Sequence, residues 1–160
     1  MLTYIPDAQT KDNVWKYAEM TANSHKSYGR DPYEIAENIY LGKLGEIAYC
    51  VLNGFSTDLL SFSTTGEIDP GYDIIINNVR IDIKTTKLPL NRVFFNHKYS
   101  RCEAYAIITR SVNDEFSHLI TIDKTLAFMN RTVHDSCRSF LDFGNNYAKL
   151  MKCKTSYSGI

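Results

Sequence analysis

The sequence has no excess of either charge. Eighteen lysines and arginines stand against eighteen aspartates and glutamates, so no global field draws the chain to a polyanion, and any such attraction has to be local. Close cysteine pairs are also missing. Cys50, Cys102, Cys137 and Cys153 are widely spaced with no CxxC among them, and they read as reduced thiols of a cytoplasmic protein, filling core space. No apolar run approaches the roughly 18 residues of a membrane span. No N-terminal apolar segment resembles a signal peptide, and there is no internal repeat or low-complexity tract. His25, His97, His118 and His134 are too scattered to suggest a histidine metal cluster. What remains is an ordinary globular composition, 44% hydrophobic and 12% aromatic over 160 residues, which predicts one domain, 1–160, with a sizeable core.

Residues 11–28, KDNVWKYAEMTANSHKSY, predict a helix with Val14, Trp15, Ala18 and Ala22 near one face, ended by Gly29. Asp31-Pro32 then opens a second helix, with Asp31 as N-cap and Pro32 in the first turn. It runs from Tyr33 to about Leu52 with Gly54 as its stop. Gly42 and Gly45 lie inside it; each costs about 1 kcal/mol against alanine, so both are expected at a bend or a close approach. Strands are expected at Asp58 to Ser63, Tyr72 to Asn77, Val79 to Thr85, Ala104 to Arg110 and Phe116 to Ile122. Asp123 is read as the N-cap of a short helix to Met129, and Arg138 to Cys153 as terminal irregular structure with a helical turn. The order implies an α/β or α+β fold, a central mixed sheet of about four to five strands flanked by helices.

The most informative stretch is GYDIIINNVRIDIKTTK, residues 71–87. Isoleucines and valine flank Asn77-Asn78, a two-residue turn signal that tolerates positive φ. The resulting register sets Ile76 against Val79, Ile75 against Arg80, Ile74 against Ile81 and Asp73 against Asp82. One face carries Ile74, Ile76, Val79, Ile81 and Ile83; the other carries Asp73, Ile75, Arg80, Asp82 and Lys84. Opposed carboxylates repel. Either a divalent cation offsets that repulsion, or both point into water with Arg80 or Lys84 neutralising them.

On the second helix, GKLGEIAYCVL places Glu46 among small and apolar neighbours. An unpaired buried carboxylate is expensive, so Glu46 either reaches water at the edge of the stripe, pairs with Lys43 three residues earlier, or serves a site. A helix with this glutamate, then a strand-borne Asp73, then eight residues, then Asp82-Ile83-Lys84, resembles the PD-(D/E)XK nuclease family. The GEIDPGYD segment is similar to the family's loop into its aspartate strand, although the hairpin register favours Asp73 over Asp69-Pro70. The resemblance spans about residues 40–122.

The resemblance implies a restriction-endonuclease-like core and hydrolysis of phosphodiester bonds in DNA, by an endonuclease rather than an exonuclease. It implies Mg²⁺ or Mn²⁺ held by Asp73, Asp82 and the main-chain carbonyl of Ile83, with Glu46 orienting bound water or holding a second ion. Lys84 would position or activate the water, or neutralise developing charge. A homodimer, and a host cytoplasm for a phage-encoded member, are compatible with it. From Arg80 to Arg101 there are six Lys/Arg and one acid, interleaved with Phe94, Phe95, His97 and Tyr99. This is a composition for phosphate contact and base stacking, or a solvated loop from Pro89 with both phenylalanines in the core. The expected nucleic-acid contacts are Lys43, Lys87, Arg92, Lys98 and Arg101. The alternatives are a catalytically inactive nuclease-like module that binds nucleic acid or protein, and a small α/β protein whose acidic hairpin is structural.

Overall fold

The computed structural model describes residues 2–24, 29, 31–60, 71–157 and 160. Helix α1 (Ala8–Ser24) buries Val14, Ala18 and Ala22 of the expected stripe, leaves Trp15 half-buried, and begins ahead of Lys11; residues 25–28 of the expected helix lie outside the described residues. Helix α2 (Pro32–Asn53) starts as its sequence dictates: the Asp31 carboxylate accepts from the Tyr33 N–H, and Pro32 occupies the first turn. It ends at Gly54, whose φ of 73° is the left-handed cap that glycine adopts without a Cβ clash.

The hairpin has the predicted register at its three paired positions, while the fourth expected pair, Asp73 with Asp82, lies outside the ladder. Strands β1 (Ile74–Ile76) and β2 (Val79–Lys87) pair Ile76 with Val79, Ile75 with Arg80 and Ile74 with Ile81. Asn77 and Asn78 both take positive φ between them, as a tight hairpin turn requires. Strand β2 runs parallel to β4 (Ala104–Arg110), which is antiparallel to β5 (Phe116–Asp123), giving a mixed four-stranded sheet in the order β1-β2-β4-β5. The fold is α+β, with this central sheet flanked by helices.

Three expectations are corrected. Asp58 and Leu59 lie in a 3-10 turn (Thr57–Leu59) followed by Leu60, rather than in a strand, with the Ser56 hydroxyl capping the turn; residues 61–63, and Asp69-Pro70, lie outside the described residues. The stretch read as a loop after Pro89 contains β3 (Arg92–Asn96), whose burial alternates, so that Phe95 enters the core while Phe94 stays 39% exposed. The segment read as terminal irregular structure holds β7 (Arg138–Asp142) and α4 (Phe143–Met151). With β6 (Thr132–Val133), strands β3 and β7 form a second antiparallel sheet in the order β3-β7-β6. Asp123 caps α3 (Lys124–Met129) as expected.

The central sheet is packed on both faces. Leu44, Ala48, Tyr49 and Cys50 of α2 cover Ile74, Ile81, Ile83, Ala106 and Ile108 on one side. Tyr105, Ile107 and Ile122 meet Val93, Phe95, Leu141, Phe143 and Leu150 on the other. Cys50, Cys102 and Cys153 are buried free thiols, as a space-filling role requires. Among the described residues no helix is long and apolar enough to cross a membrane.

Candidate active site

Strand alternation turns Asp82 and Lys84 away from α2, towards the side of the second sheet, while Ile81 and Ile83 are buried beneath α2. Lys84 Nζ lies 3.1 Å from Asp82 Oδ2, and the two side chains keep 29% and 16% of their exposure. Asp73 stands one step before β1, its N–H still bonded to the Ile81 carbonyl at 2.9 Å. Because β1 ends there, the Ile83 N–H lacks a backbone partner on that edge, and Asp73 Oδ2 accepts it at 2.7 Å. Both backbone groups of a strand residue point to one side, so the Ile83 carbonyl shares this open edge.

Glu46 reaches the same place from α2. It is 7% exposed, and Lys43 Nζ bonds its Oε2 at 2.8 Å, the i,i+3 pairing considered for it. It approaches because α2 lies against β2: a Cβ built on Gly45 would overlap Thr85 Oγ1 and stand 2.9 Å from Thr85 Cβ. Gly42, expected to share that role, faces open space. The carboxyls of Asp73 and Asp82 are within hydrogen-bonding reach of each other, and Asp73 is within reach of Glu46. These groups line a cavity of about 440 Å³ with the backbone of Ile83 and with Gly71, Tyr72, Asn96, Tyr99 and Ser100.

Packing three carboxyls together perturbs all of them. Burial, then the Glu46 charge, pushes Asp73 up to about 7. Burial likewise lifts Asp82 to about 7, with Lys84 opposing the rise and Asp73 adding to it. Glu46 is raised by burial against the pull of Lys43. Burial disfavours the Lys84 ammonium, yet Asp82 and Asp73 outweigh it and hold its pKa above the ordinary lysine value. Lys84 is therefore a firmly protonated donor, paired with Asp82 and within the field of Asp73.

Among the described residues no three His, Cys, Asp or Glu side chains form a ready metal cage. Glu46 is engaged by Lys43, and one oxygen of Asp73 by Ile83. The donor set nevertheless fits a hard divalent ion of the open kind, which takes one or two carboxylates, a carbonyl and otherwise water or phosphate oxygens. Such an ion would offset the burial, and behind it the neighbouring carboxyl charges, that lift Asp73 and Asp82.

The cations expected to contact nucleic acid are dispersed. Lys43 is inside, paired with Glu46 and 5.6 Å from the Tyr17 ring centre. Lys98 and Arg101 flank the cavity-lining Tyr99 and Ser100, with Lys98 Nζ 5.3 Å from the Tyr99 ring centre. Arg92 lies over the Phe140 ring at 4.5 Å on the exposed face of β3, and Lys87 borders a different cavity. Asn96 and Ser100 were not legible as site residues: they arrive through the β3–β4 connection, where Asn96 Oδ1 caps the Lys98 and Tyr99 N–H groups and Tyr105 donates to Ser100. No protein-family model matches the chain, and no curated protein sequence matches it.

Proposed function

We propose that the chain is a metal-dependent nuclease that hydrolyses phosphodiester bonds in DNA. The observation that carries this reading is the convergence of Glu46, Asp73, Asp82 and Lys84 on one cavity, where burial, with the neighbouring carboxyl charges behind it, pushes both aspartates up to about 7. Asp73, Asp82 and the Ile83 carbonyl would hold Mg²⁺ or Mn²⁺, with Glu46 behind them. A bound ion of this kind lowers the pKa of water and offsets charge on phosphate oxygens.

The chain's own groups supply the rest. Lys84, kept cationic, donates to a phosphate oxygen or orients the attacking water, where a fixed positive charge favours the more negative transition state. Lys43 fixes the Glu46 carboxyl in place. Lys98 and Arg101, on the loop that carries Tyr99, are suited to the flanking phosphates.

The test is cleavage of duplex, single-stranded and branched DNA in Mg²⁺, Mn²⁺ and EDTA. Wild type cuts at least one form, EDTA abolishes the activity, and Lys84→Ala or Asp82→Asn lowers the rate by about 10²-fold or more, the scale lost with one charge-stabilising group. Cleavage that is equal in EDTA, or undiminished in both variants, overturns the proposal. DNA binding without cleavage under any of these conditions identifies the inactive module instead.

A further inference from the structure

A second cavity, of about 560 Å³, shares no lining residue with the first. Its volume is within the roughly 300–1,000 Å³ usual for small-molecule sites. One wall is aromatic: Trp15 of α1 meets Tyr33 and Tyr40 of α2 edge to face, with ring centres 5.7 and 5.5 Å apart. Part of the remaining lining is cationic. Lys87 and Arg110 occupy paired positions on the parallel strands β2 and β4, so both side chains leave the same face side by side.

Like charges directly opposed across strands destabilise each other, and here the nearby acids do not fully compensate them. Asp114 is shared between Arg110, at 2.8 Å, and Lys11, at 2.9 Å. Asp12 borders the cavity but pairs with Lys16 at 3.0 Å. Lys87 is exposed and has no acidic partner among the described residues. Glu37 stands on the α2 wall with Asn38, where the pair offers hydrogen-bonding groups to the edge of a ring. An aromatic wall alone would suit any flat hydrocarbon, and the cations alone any anion; together they favour a planar ring joined to an anionic group.

We propose that this cavity binds a nucleotide, its base against Trp15, Tyr33 and Tyr40 and its phosphate at Lys87 and Arg110. A free mononucleotide and a nucleotide within a strand present the same chemistry. The site does not depend on cleavage by the carboxylate cavity.

Trp15 is the single tryptophan, so its indole N–H resonance reports directly on this cavity. Titrating the full chain in EDTA with deoxyadenosine monophosphate shifts that resonance saturably, whereas deoxyadenosine and inorganic phosphate bind more weakly than the nucleotide. Lys87→Ala and Lys87→Gln, at an exposed strand end, weaken the nucleotide by about tenfold or more, as loss of a charge-assisted contact predicts. Both leave deoxyadenosine binding unchanged, and the remaining amide resonances verify their fold. A short single-stranded oligonucleotide forms a separate arm: tighter binding than the mononucleotide identifies a strand as the ligand, and weaker binding identifies the free nucleotide. Absence of a saturable shift with both ligands, or equal nucleotide affinity in wild type and both Lys87 variants, overturns the proposal.

Discussion

Gly42 and Gly45 make a matched pair within one helix, and replacing each with alanine measures how closely α2 must approach β2. Both substitutions gain the same intrinsic term, about 1 kcal/mol for alanine over glycine in a helix interior. At Gly42 an added Cβ meets nothing within 4 Å among the described residues, so Gly42→Ala retains that gain. At Gly45 the Cβ would overlap Thr85 Oγ1 and lie 2.9 Å from Thr85 Cβ and 3.1 Å from Cγ2. Rotating the threonine removes the hydroxyl clash but leaves its Cβ in place, so the helix and strand have to part. Overpacking of this kind costs about 1–3 kcal/mol. Because the propensity gain cancels between the variants, that cost is the difference between them. At roughly 2–4 °C per kcal/mol for a chain of this size, Gly45→Ala melts roughly 2–12 °C below Gly42→Ala. Thr85→Ala restores part of the loss in the Gly45→Ala background, since it removes Oγ1 and Cγ2 but not Cβ. Among the described residues the threonine hydroxyl has no hydrogen-bond partner to lose. Differential scanning calorimetry of wild type, Gly45→Ala, Thr85→Ala and their double variant closes the cycle, with Gly42→Ala measured beside it, and a Gly45→Ala midpoint at or above that of Gly42→Ala would refute the close approach.

Two further outcomes follow from the same geometry. Asp73 and Asp82 have folded pKa values of about 7 against an ordinary 3.8. The metal-free folded state thus binds protons more tightly than the unfolded chain, and the stability this gives is full below pH 3.8 and lost as pH rises through about 7. Thermal melts in EDTA should show Asp82→Asn raising the midpoint at pH 8 more than at pH 5; an equal effect at both values counts against the coupled pair. Replacing Lys98 or Arg101 should weaken DNA binding across sequences and flatten its salt dependence by about 0.9 in log–log slope per lost duplex phosphate contact, whereas an unchanged slope in both removes the loop from the interface.

The parts of the fold that were legible are those whose cause is local. Three isoleucines, a positive-φ asparagine pair and a two-residue period define the hairpin, and a slip of one residue would have turned Asp82 and Lys84 into the core beneath α2. Glu46 was legible as an anomaly, a carboxylate within a buried stripe. Strand β3 carried its alternation in RVFFN, but its partner β7 lies far along the chain, and a non-local pairing leaves little trace in either segment. The same reason hid the second cavity, which α1, α2, β2 and β4 assemble from separate stretches. The two glycines of GKLGE look alike in sequence, and only the packed position of Thr85 separates them.

What makes the carboxylate cavity is the shortness of β1. Were the strand longer by two residues at its start, backbone groups would satisfy the edge of β2 at Ile83, and the Asp73 carboxylate would have no N–H to accept. Ending the strand at Ile74 leaves that N–H to a side chain and its carbonyl to the cavity, while Gly45 lets Glu46 come alongside. The cost is three carboxyls that repel one another, moderated by Lys43 and Lys84. An arrangement that raises two aspartates to about 7 is unfavourable for folding alone at neutral pH. The cation proposed for this cavity would offset that penalty, so the pH dependence of Asp82→Asn and the EDTA dependence of cleavage test the proposal from opposite sides.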